Sequence, residues 1–288
     1  MASKQTTGPG HGRIDQDNTA PGLLEMDGLP MPRRIWAICA ISFGTALFVV
    51  DGAIANVALP TIARDLSVSN GAVTSVVTVY QLVMVMVLLP FATIGDRIGH
   101  RRLYQIGQVI FFLASAAALL IDSFWHLIVV RVLQSFGAGI ALSVSAAMLR
   151  TIYPAKSLGS GLGINSVIVA TSYAVAPTLG GFIVEHLDWR WVFVAAAPLA
   201  LISLAIGRFL PEPEPRSGRV DTISGLWSAL TALLLIGGLT LATHDMIVPG
   251  FAAIVAGVIS AFLLTRRENG KERPILPVDL MRRPVIGL

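Results

Sequence analysis

The chain has 288 residues, of which 54% are hydrophobic and only 13% charged, and its mean hydropathy of +0.73 excludes an ordinary soluble domain. The formal charge of +4 is scattered among loops with no basic stripe interleaved with aromatics, which argues against a nucleic-acid surface. A single cysteine, Cys39, inside an apolar run excludes a disulfide framework and a thiol metal site.

Residues 1–34 are rich in Gly, Pro and polar residues without an apolar period and read as a disordered cytoplasmic tail. Eight apolar runs follow, each long enough at 1.5 Å per residue to cross a hydrocarbon core of about 30 Å. They cover residues 35–57, 73–95, 103–121, 125–149, 161–184, 191–209, 222–243 and 247–265. The first is too long and starts too late for a cleaved signal peptide, although Ala53-Ile-Ala55 superficially suggests a cleavage site. These spans predict an all-α membrane protein: a six-helix bundle over 35–209, a linker over 210–221, two further transmembrane helices over 222–265, and a segment over 266–288 that leads into a ninth helix and then stops. Eighteen of the 21 Lys and Arg fall on one side, against Arg64 and Arg190 on the other and Arg131 within a span, so the amino terminus is expected in the cytoplasm. Trp36, Trp125, Trp189 and Trp191 at predicted helix ends, with Trp227 one or two turns inside, fit an aromatic belt.

Asp51 lies sixteen residues along the first span, roughly 24 Å from its cytoplasmic end. Arg131 enters the fourth span from the opposite side and is about 9 Å deep. The two depths are similar, and a charge facing lipid is costly, so both are expected to face the bundle interior, near each other or sharing a water-filled cavity. Two roles follow: a neutralising pair that helps the bundle assemble, or a carboxylate that carries a proton under the influence of Arg131. Asn56, Tyr80, Gln81, Asn165 and Tyr173 are the polar residues expected to line a cavity beside them.

Between the second and third spans stands Ala92-Thr-Ile-Gly-Asp96-Arg97-Ile-Gly99-His100-Arg101-Arg102. Asp96 falls at a helix C-terminus, where negative charge is unfavourable, and so requires a cation or a helix N-terminus opposite it. Gly99 permits the reversal that makes the flanking helices antiparallel neighbours, and Arg97, His100, Arg101 and Arg102 can hold anionic lipid or acidic side chains. In the fifth span Pro177 removes a helical hydrogen bond and predicts a kink, while Gly180 and Gly181 permit close backbone approach. Gly159 and Gly163 are expected to contact Gly139, Ser143 and Ala147 of the fourth span rather than to form a dinucleotide loop, since no strand precedes them. Asp188-Trp-Arg-Trp-Val-Phe before the sixth span reads as an interfacial anchor, and the seventh and eighth spans hold no ionisable residue in their interiors. No nucleophile, base and orienting group converge, and the five histidines lack ligand spacing, so neither an enzyme nor a cofactor is expected.

Several of these stretches resemble motifs of the major facilitator superfamily. The Ala92 to Arg102 loop is similar to its signature Gly-x-Leu-Ala-Asp-Arg-x-Gly-Arg-Arg, with Ala92 for the first Gly and His100 for one Arg. Val50-Asp51-Gly-Ala-Ile-Ala-Asn56-Val-Ala-Leu-Pro60 resembles the first-helix motif of the fourteen-helix drug and proton antiporter branch, with Ala53 where that motif has a hydroxyl. Arg131-Val-Leu-Gln134-Ser-Phe-Gly137-Ala resembles the fourth-helix motif Arg-x-x-Gln-Gly-x-Gly-Ala, with Ser135 for the first Gly. Ser172-Tyr-Ala-Val-Ala176-Pro177-Thr-Leu-Gly180-Gly181 looks like the antiporter motif Gly-x-x-x-Gly-Pro-x-x-Gly-Gly, with two glycines replaced.

The resemblance implies the amino-terminal portion of a proton-coupled multidrug efflux transporter, multi-pass in a bacterial inner membrane. Its partners would be the lipid bilayer, lipophilic substrates with cationic ones among the candidates, protons, and a carboxy-terminal half that this chain lacks. Asp51, Arg131 and Gln134 would then be coupling residues, Asp96 to Arg102 a cytoplasmic gating loop, Pro177 to Gly181 a hinge, and the last two spans the extra pair between two six-helix halves. A solute uniporter or importer, and a non-transporting bundle, remain as alternatives.

Overall fold

A computed structural model describes residues 28–212, 222–243 and 246–268. Among them the secondary structure is entirely helical. The long helices are α1 (Arg33–Asp65), α2 (Asn70–Ile98), α3 (His100–Ala117), α4 (Phe124–Ile152) and α5 (Leu158–His186). The sixth span is built from α6 (Trp191–Val194) and α7 (Ala197–Ile206), and α8 (Thr222–Thr243) and α9 (Ile247–Glu268) form the last two. Among the described residues eight helical segments are long and apolar enough to cross a membrane, and the chain is a multi-pass membrane protein of α-helical fold. The end of the bundle that carries Arg33, Arg97, Arg101, Arg102, Arg150 and Arg208 is called the basic end below, and the opposite one the far end.

Local chemistry sets the helix limits. Ser69 and Ser123 cap α2 and α4, accepting from the amides of Ala72 at 3.1 Å and His126 at 3.4 Å. One residue, Gly99, separates α2 from α3, and its φ of +104° is a conformation that side-chain-bearing residues rarely adopt. The predicted single helix over 191–209 is interrupted at Ala195 and Ala196. The cause is Pro198, whose missing N–H leaves the Val194 carbonyl without its helical partner.

In lipid, apolar side chains gain little by leaving one apolar medium for another, so small residues that let backbones approach decide which helices pack. Helix α4 is the centre: it packs on α3 and α2, while α5 packs on α1 and α8 leans on α2. A Cβ built on Gly225 of α8 would lie 3.3 Å from Pro90 of α2, which places this hairpin directly against the six-helix bundle. The buried apolar residues divide into two clusters, one toward the basic end with Phe48, Tyr104 and Phe111, the other toward the far end with Ile54, Leu127 and Phe193.

Both ends are tied by specific bonds. At the basic end the Arg33 guanidinium donates to the carbonyls of Phe209 at 3.1 Å and Leu210 at 3.2 Å. The Leu29 amide donates to the Ile152 carbonyl at 3.1 Å, and Leu29 is buried. The expected disordered tail therefore does not reach Arg34: Gly28 onward is seated on the bundle, and residues 1–27 lie outside the described residues, as does the expected ninth-helix start. Of the linker, Leu210 is buried and Glu212 receives two arginines, whereas 213–221 also lie outside.

The far end holds a clasp where only an interfacial anchor was expected. Trp189 is 4% exposed, and its indole N–H donates to Asp65 at 2.7 Å. Arg190 pairs with Asp188 at 3.0 Å, stacks over Trp189 at 4.5 Å and donates to the Ile121 carbonyl. Trp189 is thus a tertiary contact between the α5–α6 loop and α1, while Trp36, Trp125 and Trp191 stay exposed as a belt requires.

Candidate functional site

Asp51 and Arg131 meet where the two apolar clusters adjoin. Arg131 shares one face of α4 with Gln134, Ser135 and Ala138, a spacing of three, four and seven that turns all four inward. Its Nη1 donates to Asp51 Oδ2 at 3.0 Å and to Gln134 Oε1 at 3.1 Å. Both charged side chains are 0% exposed. Of the two arrangements expected, neighbours or joint occupants of a water-filled cavity, the structure has the first: a direct, enclosed contact.

Enclosing two charges costs several kcal/mol per ion, and only good geometry with further hydrogen bonds offsets it. The surroundings supply that geometry. The Gln134 amide nitrogen donates to Ser115 Oγ on α3 and to the Phe193 carbonyl on α6, both at 2.9 Å, which turns its oxygen toward Arg131. The guanidinium lies 4.0 Å from the centre of the Tyr80 ring and 5.2 Å from that of Phe193. Ser135 Oγ donates to the Tyr80 carbonyl, joining α4 to α2 at the same level.

Four buried polar atoms of this cluster make no hydrogen bond of good geometry: Asp51 Oδ1, the Tyr80 hydroxyl, and Arg131 Nε and Nη2, although the Tyr80 hydroxyl and the Asp51 carboxyl interact with each other. Such atoms are costly in a protein interior and rare there. An acceptor, two donors and an amphoteric hydroxyl can exchange a proton or bind a small polar species. The histidine, aspartate, glutamate and cysteine residues form no metal-sized cluster among the described residues.

Of the residues expected to line a cavity, Tyr80 alone packs on the pair. Gln81 is exposed on the bundle surface, Tyr173 is exposed yet near enough to interact with Tyr80, and Asn165 is half-buried on α5. Asn56 is also exposed and bonds its own helix through the Ala53 carbonyl at 3.2 Å. At the basic end, Asp96 takes His100 as a partner at 3.1 Å, and Arg101 and Arg102 approach Glu212 at 3.8 and 3.2 Å. Arg97 is exposed.

Helix α5 runs unbroken through Pro177. Its buried stripe is Ser172, Ala176, Gly180 and Ile183, and a Cβ on Gly180 would come within 2.9 Å of Ile54 on α1. Gly181 points to open space. So do Gly159 and Gly163, which corrects the expected contact with α4: Gly139 packs instead on Val87 of α2.

Sequence reading overlooked two polar clusters. Tyr104, Gln108 and Ser203 gather on the Ala40 carbonyl and fasten α1, α3 and α7. Trp227 and Thr231 of α8 bond Ser260 of α9 at 2.9 and 2.8 Å. The signal was available in both cases as isolated polar residues inside apolar runs.

The sequence profile of the Major Facilitator Superfamily matches residues 41–265. The transporter YebQ of Escherichia coli (strain K12), itself uncharacterized, is 42% identical over 92% of this chain and 59% of its own length. The riboflavin transporter RibZ of Clostridioides difficile (strain 630) is 32% identical over 72% of this chain and 46% of its own. The multidrug efflux pump LfrA of Mycolicibacterium smegmatis is 30% identical over 87% and 51%. This chain therefore spans about half the length of the curated relatives it matches. Among solved structures, the inward-open xylose transporter XylE from E. coli superposes with a TM-score of 0.55 at 17% identity, covering 79% of this chain and 56% of that one, a likeness of fold alone.

Proposed function

Because the chain belongs to the Major Facilitator Superfamily, we propose that it is the amino-terminal part of a proton-coupled multidrug efflux antiporter of the fourteen-helix branch, with its amino terminus in the cytoplasm of a bacterial cell. In this reading Asp51 is the proton site, Arg131 its modulator and Gln134 the residue that orients Arg131. A second six-helix half supplies the facing wall of the transport path, and α8 and α9 are the extra pair between the halves. The observation that carries the reading is the enclosed Asp51 to Arg131 contact with the Tyr80 hydroxyl beside it and hydrogen-bonding capacity to spare. A proton arriving at Asp51 removes the charge that Arg131 faces, so the packing that suits the ionised pair no longer suits the neutral acid. That difference is what couples a proton to a change of shape. LfrA, a relative that pumps many drugs, supports the export direction.

A second reading, uptake or facilitated passage of a small solute, is favoured by the riboflavin transporter among the relatives. Everted membrane vesicles containing the full-length transporter, second half included, separate the two. With an imposed pH gradient and a lipophilic cationic dye, efflux activity accumulates dye in the lumen, collapses when the gradient is dissipated, and is lost in Asp51→Asn. Dye movement indifferent to the gradient, or intact in Asp51→Asn, overturns the antiporter reading.

A further inference from the structure

We infer that Tyr80 is the positioning residue through which the charge on Asp51 is conveyed to α2, with Ser135 holding that part of α2 against α4. The inference rests on the reading of Asp51 as the proton site and names the element that responds.

Arg131 has four neighbours able to stabilise its charge: Asp51 on α1, Gln134 on its own helix, and the rings of Tyr80 on α2 and Phe193 on α6. When Asp51 is neutral, the guanidinium must draw more from the other three, because a guanidinium does not give up its proton. Gln134 is already fixed by Ser115 and the Phe193 carbonyl. Phe193, as deeply buried as Tyr80, is more than an ångström farther from the guanidinium. Tyr80 remains: its ring lies closest, and its hydroxyl interacts with the Asp51 carboxyl itself.

Among the helices that carry these four neighbours, the one that bears Tyr80 has the smallest buried share. Five of the 29 residues of α2 are buried, against fifteen of 29 in α4. Tyr80 is 2% exposed, so its enclosed ring has no room to swing aside, and Ser135 Oγ holds the Tyr80 carbonyl to α4, so a shift of the guanidinium is passed through the ring to the backbone of α2. The resembling fourth-helix motif has glycine at this position, which could make no such bond. Ten residues on, Pro90 interrupts the α2 hydrogen bonds and receives Gly225 of α8, so movement of α2 also reaches the α8–α9 hairpin.

The charged and titratable surroundings of Asp51 are few. Arg131 faces it from α4 and Tyr80 from α2, Tyr173 is the titratable group that α5 sets toward Tyr80, and α3 and α6 bring the uncharged Ser115 and the Phe193 carbonyl.

The test measures coupling in the whole chain. Ile98 is 45% exposed at the basic end of α2, so Ile98→Cys in a Cys39→Ser background reports that end through its rate of maleimide labelling. Asp51→Asn, which mimics the protonated acid and keeps an acceptor for Arg131, is expected to change the rate about fivefold when Tyr80 is present. Tyr80→Phe, which keeps the ring, retains the change. Tyr80→Leu abolishes it, and Ser135→Gly, a mild substitution that decides the matter if Tyr80→Leu does not fold, at least halves it. A purely structural Tyr80 would alter labelling equally with Asp or Asn at position 51. An undiminished response in Tyr80→Leu or Ser135→Gly, or no response to Asp51→Asn in the parent, overturns the inference. The dye-transport experiment judges the antiporter reading independently.

Discussion

Gly107 on α3 and Gly137 on α4 approach so closely that a Cβ on Gly107 would stand 2.5 Å from the Gly137 carbonyl oxygen, and one on Gly137 would stand 2.6 Å from that of Gly107. Neither backbone can yield, because α4 is the most enclosed of the spans and α3 is pinned to α1 and α7 through Tyr104 and Gln108.

Gly137→Ala should therefore destabilise the bundle by about 1–3 kcal/mol, the usual cost of forcing an atom into a filled interface. Gly163→Ala, in open space within a helix, should instead be neutral or stabilise by up to about 1 kcal/mol. Thermal unfolding of the purified protein in detergent, followed by helical circular dichroism, measures both.

Removing either partner of the enclosed pair should not cost the same. Asp51→Ala strands a permanently charged guanidinium and should lower stability by about 3–5 kcal/mol. Arg131→Met leaves a carboxyl group that can take up a proton and become neutral, so its cost should be smaller. Equal losses in the same unfolding assay would contradict the assignment of Arg131 as the less adaptable partner.

At the far end, Trp189→Phe keeps a ring in place but removes the bond to Asp65. Asp65 is about half exposed, so solvent competes for it and the loss should be about 1 kcal/mol. Trp125→Phe, at a site 73% exposed, should change nothing. Quenching by a water-soluble agent should likewise spare Trp189 and reach Trp125, as single-tryptophan variants would reveal.

At the basic end, Glu212→Gln should release Arg101 and Arg102. All three side chains are more than a quarter exposed, so the stability change should stay below about 1 kcal/mol. The local change is larger: limited trypsin digestion should cut after Arg101 or Arg102 faster in the variant. Raising the ionic strength should bring the parent toward the variant's rate.

Much of this architecture is written in hydropathy. Long uncharged runs marked all eight spans, and equal depth brought Asp51 and Arg131 together, because a buried charge in lipid has few places to go. Pro198 carried the break in the sixth span in plain view, yet a hydropathy window averages over a single missing donor. What hydropathy does not encode is which side of a helix meets which neighbour. Gly159, Gly163 and Gly180 lie on one helix and look alike in sequence, but only Gly180 touches α1. The same blindness hid Ser135 as the donor to Tyr80 and Trp189 as a buried contact, since both depend on helix rotation rather than on composition.

The bonds at the two ends of the bundle have a mechanical outcome. Helix α1 has 33 residues, about 50 Å of rod at 1.5 Å each, and it is fastened near one tip by Arg33 and at the other by Asp65. A rod tied at both tips does not tilt alone but turns with the helices it is tied to. When that body tilts by about ten degrees around one tip of α1, the other tip sweeps through roughly 9 Å, so a minor angular adjustment at one face of the membrane becomes a displacement of molecular width at the other.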